Sequence, residues 1–147
     1  MKYFFALVLS LLTVVANAQT APTCVPFQLI HHQIIVKVTI ADQGSYPFLL
    51  DTGAQTTVVG PSIAQSLHLP TGGVVDVSGF GSKIQTPWSR TSIEVAGQRK
   101  ADVGVLIYDA GQIQKRGDAD IYGVLGANFL EGFTITIDHK NSCISLQ

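Results

Sequence analysis

Three apolar residues, Phe48-Leu49-Leu50, run directly into the segment Asp51-Thr52-Gly53-Ala54. An aspartate at the end of an apolar strand is costly unless its carboxylate is hydrogen-bonded or partnered, because an isolated buried charge loses its solvation. Thr52 and Gly53 suit a tight turn whose amide groups point at the carboxylate of Asp51. The alternative interpretation is an ordinary turn between two strands that carries no chemistry.

The residues around this segment have the pattern of short strands. Residues 28–40 are predicted to form one or two strands, because apolar residues alternate over residues 33–40. A turn leads into a second strand, in which Pro47 predicts an edge or strand-start position. A proline also opens residues 61–69, which predict a short helix. A hairpin with a glycine-flanked tip is expected over residues 74–84, and further strands over residues 91–95, 101–107, 133–137 and 143–146. The pattern favours an all-β fold with one or two short helices.

The composition excludes several classes of protein. The 147 residues include nine Lys plus Arg and ten Asp plus Glu, with 13% charged and 46% apolar residues. These values argue against a disordered chain and against a nucleic-acid binder driven by bulk charge. The length fits a single domain.

The N-terminus has the features of a secretory signal peptide. Lys2 precedes an apolar run over residues 3–15, and Ala16-Asn17-Ala18 places small residues where a signal peptidase cleaves. The run is shorter than the roughly 20 residues that span a membrane. We therefore predict a signal peptide over residues 1–18 and one domain over residues 19–147. The mature protein is expected to be secreted or periplasmic, without stable membrane insertion.

Cys24 and Cys143 are the only two cysteines. In an oxidising compartment such a pair is a candidate disulfide, and two small buried apolar side chains are the alternative. The sequence leaves open whether they pair within one chain, between chains or not at all. Their spacing suits no zinc motif, and His31-His32 are not expected to chelate because neighbours on a strand face opposite sides. We expect no metal and no other cofactor.

A second apolar segment, Val124-Leu125-Gly126, also ends at a glycine and precedes a predicted helical turn over residues 127–131, which begins Ala127-Asn128-Phe129-Leu130. Together with Asp51-Thr52-Gly53 and Thr57-Val58-Val59, it resembles the two signatures of the retropepsin-like aspartic proteases, especially their single-domain secreted or periplasmic bacterial members. The resemblance implies a closed, barrel-like all-β fold equivalent to one half of a bilobal pepsin-like enzyme. In that family the apolar-apolar-Gly segment packs beneath the Asp-Thr-Gly loop, so the expected supporting residues are Thr52, Gly53, Ala54, Val124, Leu125 and Gly126.

The resemblance also implies a catalytic mechanism and a homodimeric state. Members with a single Asp-Thr-Gly act as homodimers, so Asp51 is the expected catalytic residue and each subunit contributes one copy. One carboxyl group acts as an acid and the other as a base that activates water. The implied function is an aspartic endopeptidase that acts on polypeptides, with no nucleic-acid partner. Ser78-Gly79-Phe80-Gly81 matches the family's substrate-covering flap in position and composition, although an ordinary exposed hairpin has a similar composition.

Three further expectations accompany the resemblance. A catalytically inactive dimeric domain of the same fold, which binds peptides or serves as a scaffold, is the rival function. Ala54 stands where pepsin-like enzymes commonly carry Ser or Thr, and Asp138 matches an acidic position with a structural role. The chain continues beyond Ile137 to Leu146, where the simplest viral members end sooner and build their dimer sheet from terminal strands. The dimer interface can therefore differ from theirs.

Overall fold

Short strands dominate the computed structural model, which describes residues 23–79, 82–109 and 120–147. The strands are β1 Val25–Pro26, β2 Gln28–Ile30, β3 Gln33–Ile40, β4 Gln43–Leu50, β5 Thr57–Val59, β6 Val74–Gly79, β7 Ser82–Val95, β8 Gln98–Ile107, β9 Gly123–Leu125, β10 Ile135–Asp138 and β11 Cys143–Leu146. The helices are α1 Pro61–Ser66 and α2 Ala127–Leu130. The predicted all-β class with one or two short helices is confirmed. The predicted signal peptide, residues 1–18, lies outside the described residues.

Eight strands lie side by side in the order β2-β3-β4-β9-β5-β8-β7-β6. An additional pairing of Thr39 with Glu94 and Ile40 with Ile93 joins β3 to β7. The six strands from β3 to β7 in that order therefore form a closed ring of hydrogen-bonded neighbours. Alternate side chains of these strands point inward and form a core that includes Phe48 and Ile93, and Phe129 of α2 belongs to the same core; all three are fully buried.

A second sheet has three strands in the order β1-β11-β10. Cys24, directly before β1, forms a disulfide with Cys143, the first residue of β11, and their Cα atoms lie 5.5 Å apart. The two cysteines therefore pair within one chain, which the sequence left open. The disulfide ties the start of the described chain to its C-terminal strand across 119 positions of sequence.

Pro47 does not lie at a strand start, but among the described residues no strand pairs with it on the side away from β3, so the predicted edge position holds locally. It sits in the middle of the eight-residue strand β4, opposite Lys37 of β3. Its carbonyl accepts a hydrogen bond of 2.9 Å from the N–H of Tyr122, on the side away from β3. The nitrogen of a strand residue faces the same side as its carbonyl. Because β9 begins only at Gly123, the missing N–H of Pro47 costs the sheet no ladder hydrogen bond.

Helix α1 begins at the predicted proline and ends sooner than the predicted residue 69. The chain leaves the helical conformation at His68, whose φ is 51°. Within the described ranges, neither helix is long and apolar enough to cross a membrane.

Candidate active site

Asp51 directly follows β4 and begins a tight turn. Its backbone N–H donates to the carbonyl of Leu125 at 3.1 Å, which fixes the end of β4 against β9. The N–H of Gly53 donates to the carboxylate Oδ1 of Asp51 at 2.8 Å, and the N–H of Ala54 donates to the Asp51 carbonyl at 3.3 Å. Asp51 is half-buried rather than fully buried. The turn therefore holds the carboxylate in place and leaves it partly open to solvent.

The segment Val124-Leu125-Gly126 packs against this turn. Strand β9 lies between β4 and β5, with Leu50 opposite Leu125 and Val58 opposite Val124. After β9, the N–H of Ala127 donates to the carbonyl of Ala54 at 2.7 Å. The two segments predicted to pack together are therefore directly hydrogen-bonded to each other.

Gly126 allows this close approach. A Cβ atom at this position would lie 2.6 Å from the carbonyl carbon of Thr56 and 2.8 Å from the backbone nitrogen of Thr57. Both distances are shorter than van der Waals contact, and both atoms belong to backbone that cannot move independently. A larger residue would therefore push β9 and the Asp51 turn apart.

Thr57 and Asn128 form a buried polar connection to which sequence reasoning assigned no role. The Oδ1 of Asn128 accepts hydrogen bonds from both the N–H and the hydroxyl of Thr57, each at 2.9 Å. The Thr57 hydroxyl oxygen accepts from the N–H of Gly126 at 3.1 Å, and the Asn128 Nδ2 donates to the carbonyl of Gly104 at 2.7 Å. Thr57 and Asn128 are polar residues within otherwise apolar segments, and buried polar side chains need hydrogen-bonding partners. This pattern was the sequence signal from which their contact could have been predicted.

A cleft of about 670 Å³ opens beside Asp51. Six apolar side chains line it, and Gln55, Thr56 and Ser78 add polar groups; the apolar residues are Leu49, Ala54, Val58, Val77, Leu106 and Val124. Asp51 is the only charged residue among the described residues that line it. The cleft therefore suits an uncharged, largely apolar segment of an extended chain.

The hairpin of β6 and β7 reaches this cleft through Val77 and Ser78. Gly79 pairs with Ser82 at the end of the hairpin. Phe80 and Gly81, which complete the predicted flap tip, lie outside the described residues. Of the four predicted flap residues, the structure thus brings Ser78 to the cleft that contains Asp51.

Thr52 is exposed and lines a second cavity, of about 350 Å³, together with Asp51, His32 and Ile137. The sequence predicted that His31 and His32 are neighbours on a strand, but the structure places neither of them in a strand. They form the turn between β2 and β3, with φ values of 47° and 64°. Across the part of the chain that the structure describes, no three His, Cys, Asp or Glu side chains are placed to hold a metal ion.

Asp138 closes the hairpin between β10 and β11. Its Oδ1 accepts from the N–H of Asn141 at 3.0 Å, and its Oδ2 accepts from the Asn141 side-chain amide at 2.6 Å. These hydrogen bonds, the backbone one first, hold the pKa of Asp138 below its ordinary value of 3.8. The residue therefore stabilises a turn of the second sheet.

Residues 36–129, which include Asp51 and Gly126, match the model of the aspartyl protease family. The crystal structure of a retropepsin-like aspartic protease from Rickettsia conorii is similar over 78% of this chain and 82% of that chain. Its TM-score is 0.52 and its sequence identity is 20%, so this likeness concerns the fold. No curated protein matches the sequence. The expected retropepsin-like fold is confirmed.

Proposed function

Because this chain belongs to the aspartyl protease family, we propose that it is an endopeptidase whose Asp51 residues, from two identical subunits, activate water together. The observation that carries the proposal is the position of Asp51. Its half-buried carboxylate is held by the N–H of Gly53 at 2.8 Å and opens onto a largely apolar cleft. An aspartate held in this way can contact both water and a bound polypeptide.

The proposed chemistry needs a second copy, because the sequence contains a single Asp-Thr-Gly. Two adjacent carboxyl groups do not both ionise, so one is a base and the other an acid. The ionised Asp51 takes a proton from water as the water oxygen bonds to the peptide carbonyl carbon. The protonated Asp51 of the partner subunit donates its proton to the carbonyl oxygen. The carbon–nitrogen bond then breaks as the amine takes a proton from the first carboxyl group, and one hydroxyl of the tetrahedral intermediate returns its proton to the partner's carboxylate as the carbon–oxygen double bond re-forms.

The substrate we propose is an extended polypeptide with apolar side chains near the cleaved bond. The apolar lining of the cleft supports this choice, because it stabilises apolar side chains and its described residues include no cation to pair with an acidic one. Residues 1–18 support a secreted or periplasmic site of action, since they have the pattern of a signal peptide. Polypeptides of that compartment would be the substrates.

The proposal is tested by incubating the purified protein with an unstructured protein, with and without a transition-state-mimicking inhibitor of aspartic proteases. We expect cleavage that the inhibitor blocks and that Asp51→Asn lowers by at least about 1,000-fold. Asp102→Asn is the matched control, because Asp102 is exposed on β8 and pairs only with Arg90 in the described structure. Full activity in Asp51→Asn would contradict the proposal. Peptide binding without cleavage by the parent protein would favour the inactive binding domain instead.

A further inference from the structure

Trp88 lies where the β6–β7 hairpin joins the closed ring of strands. Pro87, the residue before it, is the last residue of β7 that pairs with β6, and Trp88 is the first that pairs with β8, opposite Leu106. Among the described residues, no strand pairs with the other side of β6. The position of β6 therefore depends on how β7 is held at this junction.

Two glycines continue the contact with β7 beyond the start of β6. The N–H of Gly72 donates to the carbonyl of Trp88 at 2.8 Å, and the N–H of Trp88 donates to the carbonyl of Gly73 at 3.1 Å. The indole covers Gly72 so closely that a Cβ atom there would lie 2.5 Å from its Cε2 and Cζ2 atoms. Trp88 thus holds the chain that leads into β6 through both its backbone and its side chain.

The indole also belongs to the apolar layer behind the cleft that contains Asp51. Trp88 and Val77 both pack against the cluster of buried residues that includes Leu106 and Val124. Val77, Leu106 and Val124 also line the cleft, whereas Trp88, which is half-buried, is not among its described lining residues. Trp88 can therefore act on a bound polypeptide through the residues that it positions.

We propose that Trp88 is a positioning residue for the substrate: it holds the β6 wall of the cleft, Val77 and Ser78, at the distance from β8 that an extended polypeptide needs. This inference rests on the proposed function and deepens it, because it assigns a residue behind the cleft to substrate binding. Within the described structure, the hydrogen bonds of the Asp51 turn involve no residue of β6 or β7. Loss of the indole should therefore weaken substrate binding and leave the chemical step in place.

The test compares steady-state peptide cleavage by the parent protein, Trp88→Ala and Trp88→Phe. We expect the KM of Trp88→Ala to rise at least about fivefold while its kcat stays within about twofold, since binding common to substrate and transition state is lost. Trp88→Phe should recover most of the parent KM, because an aromatic ring still covers Gly72. Circular dichroism and thermal unfolding confirm that each variant is folded.

Tyr46→Ala is the matched control for the loss of an aromatic ring. Tyr46 is half-buried, packs against the other core cluster and is not among the described lining residues of the cleft. The variant should lose stability through lost packing, while its KM stays within about twofold of the parent.

Gly72→Ala keeps the indole and disturbs the same contact, so it decides the question if Trp88→Ala does not fold. Its methyl group would push the ring away from the chain that leads into β6. Trp88 is the only tryptophan of the sequence, so its fluorescence reports this displacement directly. We expect a red-shifted emission and the same rise in KM. Gly104→Ala, whose Cβ meets no atom within 4 Å, should show neither.

Binding of the transition-state-mimicking inhibitor separates this inference from the proposed function. Its dissociation constant, measured by calorimetry, should rise at least about fivefold in Trp88→Ala. Weaker binding in this variant of a parent that binds the inhibitor but never cleaves peptide would leave the role of Trp88 standing and remove the protease function. An active parent whose folded Trp88→Ala and Gly72→Ala variants keep the parent KM would do the reverse.

Three further results would overturn the role of Trp88. One is a rise in KM that Tyr46→Ala matches. Another is a fall in kcat alone in Trp88→Ala, because the indole would then act on the Asp51 turn rather than on substrate binding. The third is a parent that neither cleaves peptide nor binds the inhibitor, which would also remove the protease function.

Discussion

A single side-chain oxygen of Asn128 accepts two hydrogen bonds from Thr57, although 71 positions of sequence separate the two residues. The contact joins β5, which follows the Asp51 turn, to α2, which follows Gly126. Thr57 is fully buried, so its hydroxyl has no access to water as an alternative partner. This contact explains how β5 and α2, which are distant in sequence, are held in a fixed position around the Asp51 carboxylate.

Asn128→Ala is expected to lower the free energy of unfolding by about 1–3 kcal/mol, because it leaves buried donors of Thr57 without an acceptor. Peptide cleavage should fall as well, since the Asp51 turn loses its support. Urea unfolding and initial rates measure the two effects. Asn141→Ala is the control, because Asn141 is exposed in the β10–β11 turn. Equal stability of Asn128→Ala and the parent would contradict the assigned role.

Gly126→Ala is expected to destabilise the protein by about 1–3 kcal/mol through overpacking. The added methyl group would meet the backbone of Thr56 and Thr57, which cannot yield without moving β5. Gly104→Ala is the matched control in a neighbouring strand, because a Cβ there has no atom within 4 Å. Thermal unfolding of both variants is the measurement. If Gly104→Ala destabilised the protein more than Gly126→Ala, close packing at Gly126 would not explain the loss of stability.

Reduction of the disulfide is expected to lower the free energy of unfolding by about 2–5 kcal/mol, because it frees a long loop in the unfolded chain. Thermal unfolding with and without a reductant measures the loss. Since Cys24 and Cys143 pair within one chain and are the only cysteines, a non-reducing gel should show the mass of a monomer. A reductant-sensitive band at twice that mass would mean that the bond instead joins two subunits.

Ala54→Ser is expected to shift the pH–rate profile toward lower pH. Ala54 is half-buried and lines the same cleft as Asp51, and its N–H donates to the Asp51 carbonyl. A hydroxyl at this position can donate to the catalytic carboxylate and so favours its ionised form. The parent protein, without that donor, should be most active at mildly acidic to near-neutral pH. An upward shift in the variant would refute this account of Ala54.

The sequence and the structure agree best where a feature depends on residues close together in the chain. Alternating apolar residues predicted β3, the proline at position 61 predicted the start of α1, and the Asp-Thr-Gly segment predicted a turn at Asp51. Pro47 lies inside β4 rather than at a strand start, and inside a strand the missing N–H of a proline normally costs a ladder bond. Whether it does depends on where β9 begins, and no local pattern around Pro47 contains that information.

The sequence by itself therefore determined the all-β class, the turn that carries Asp51 and the second glycine-ended segment, because periodicity and turn chemistry act over a few residues. Only the tertiary structure decided that Cys24 bonds Cys143, that Asn128 satisfies Thr57, and that the indole of Trp88 covers Gly72. These relationships depend on strand register and on the three-dimensional distance between remote residues. Both are set by the packing of the whole core, through contacts that a local pattern does not contain.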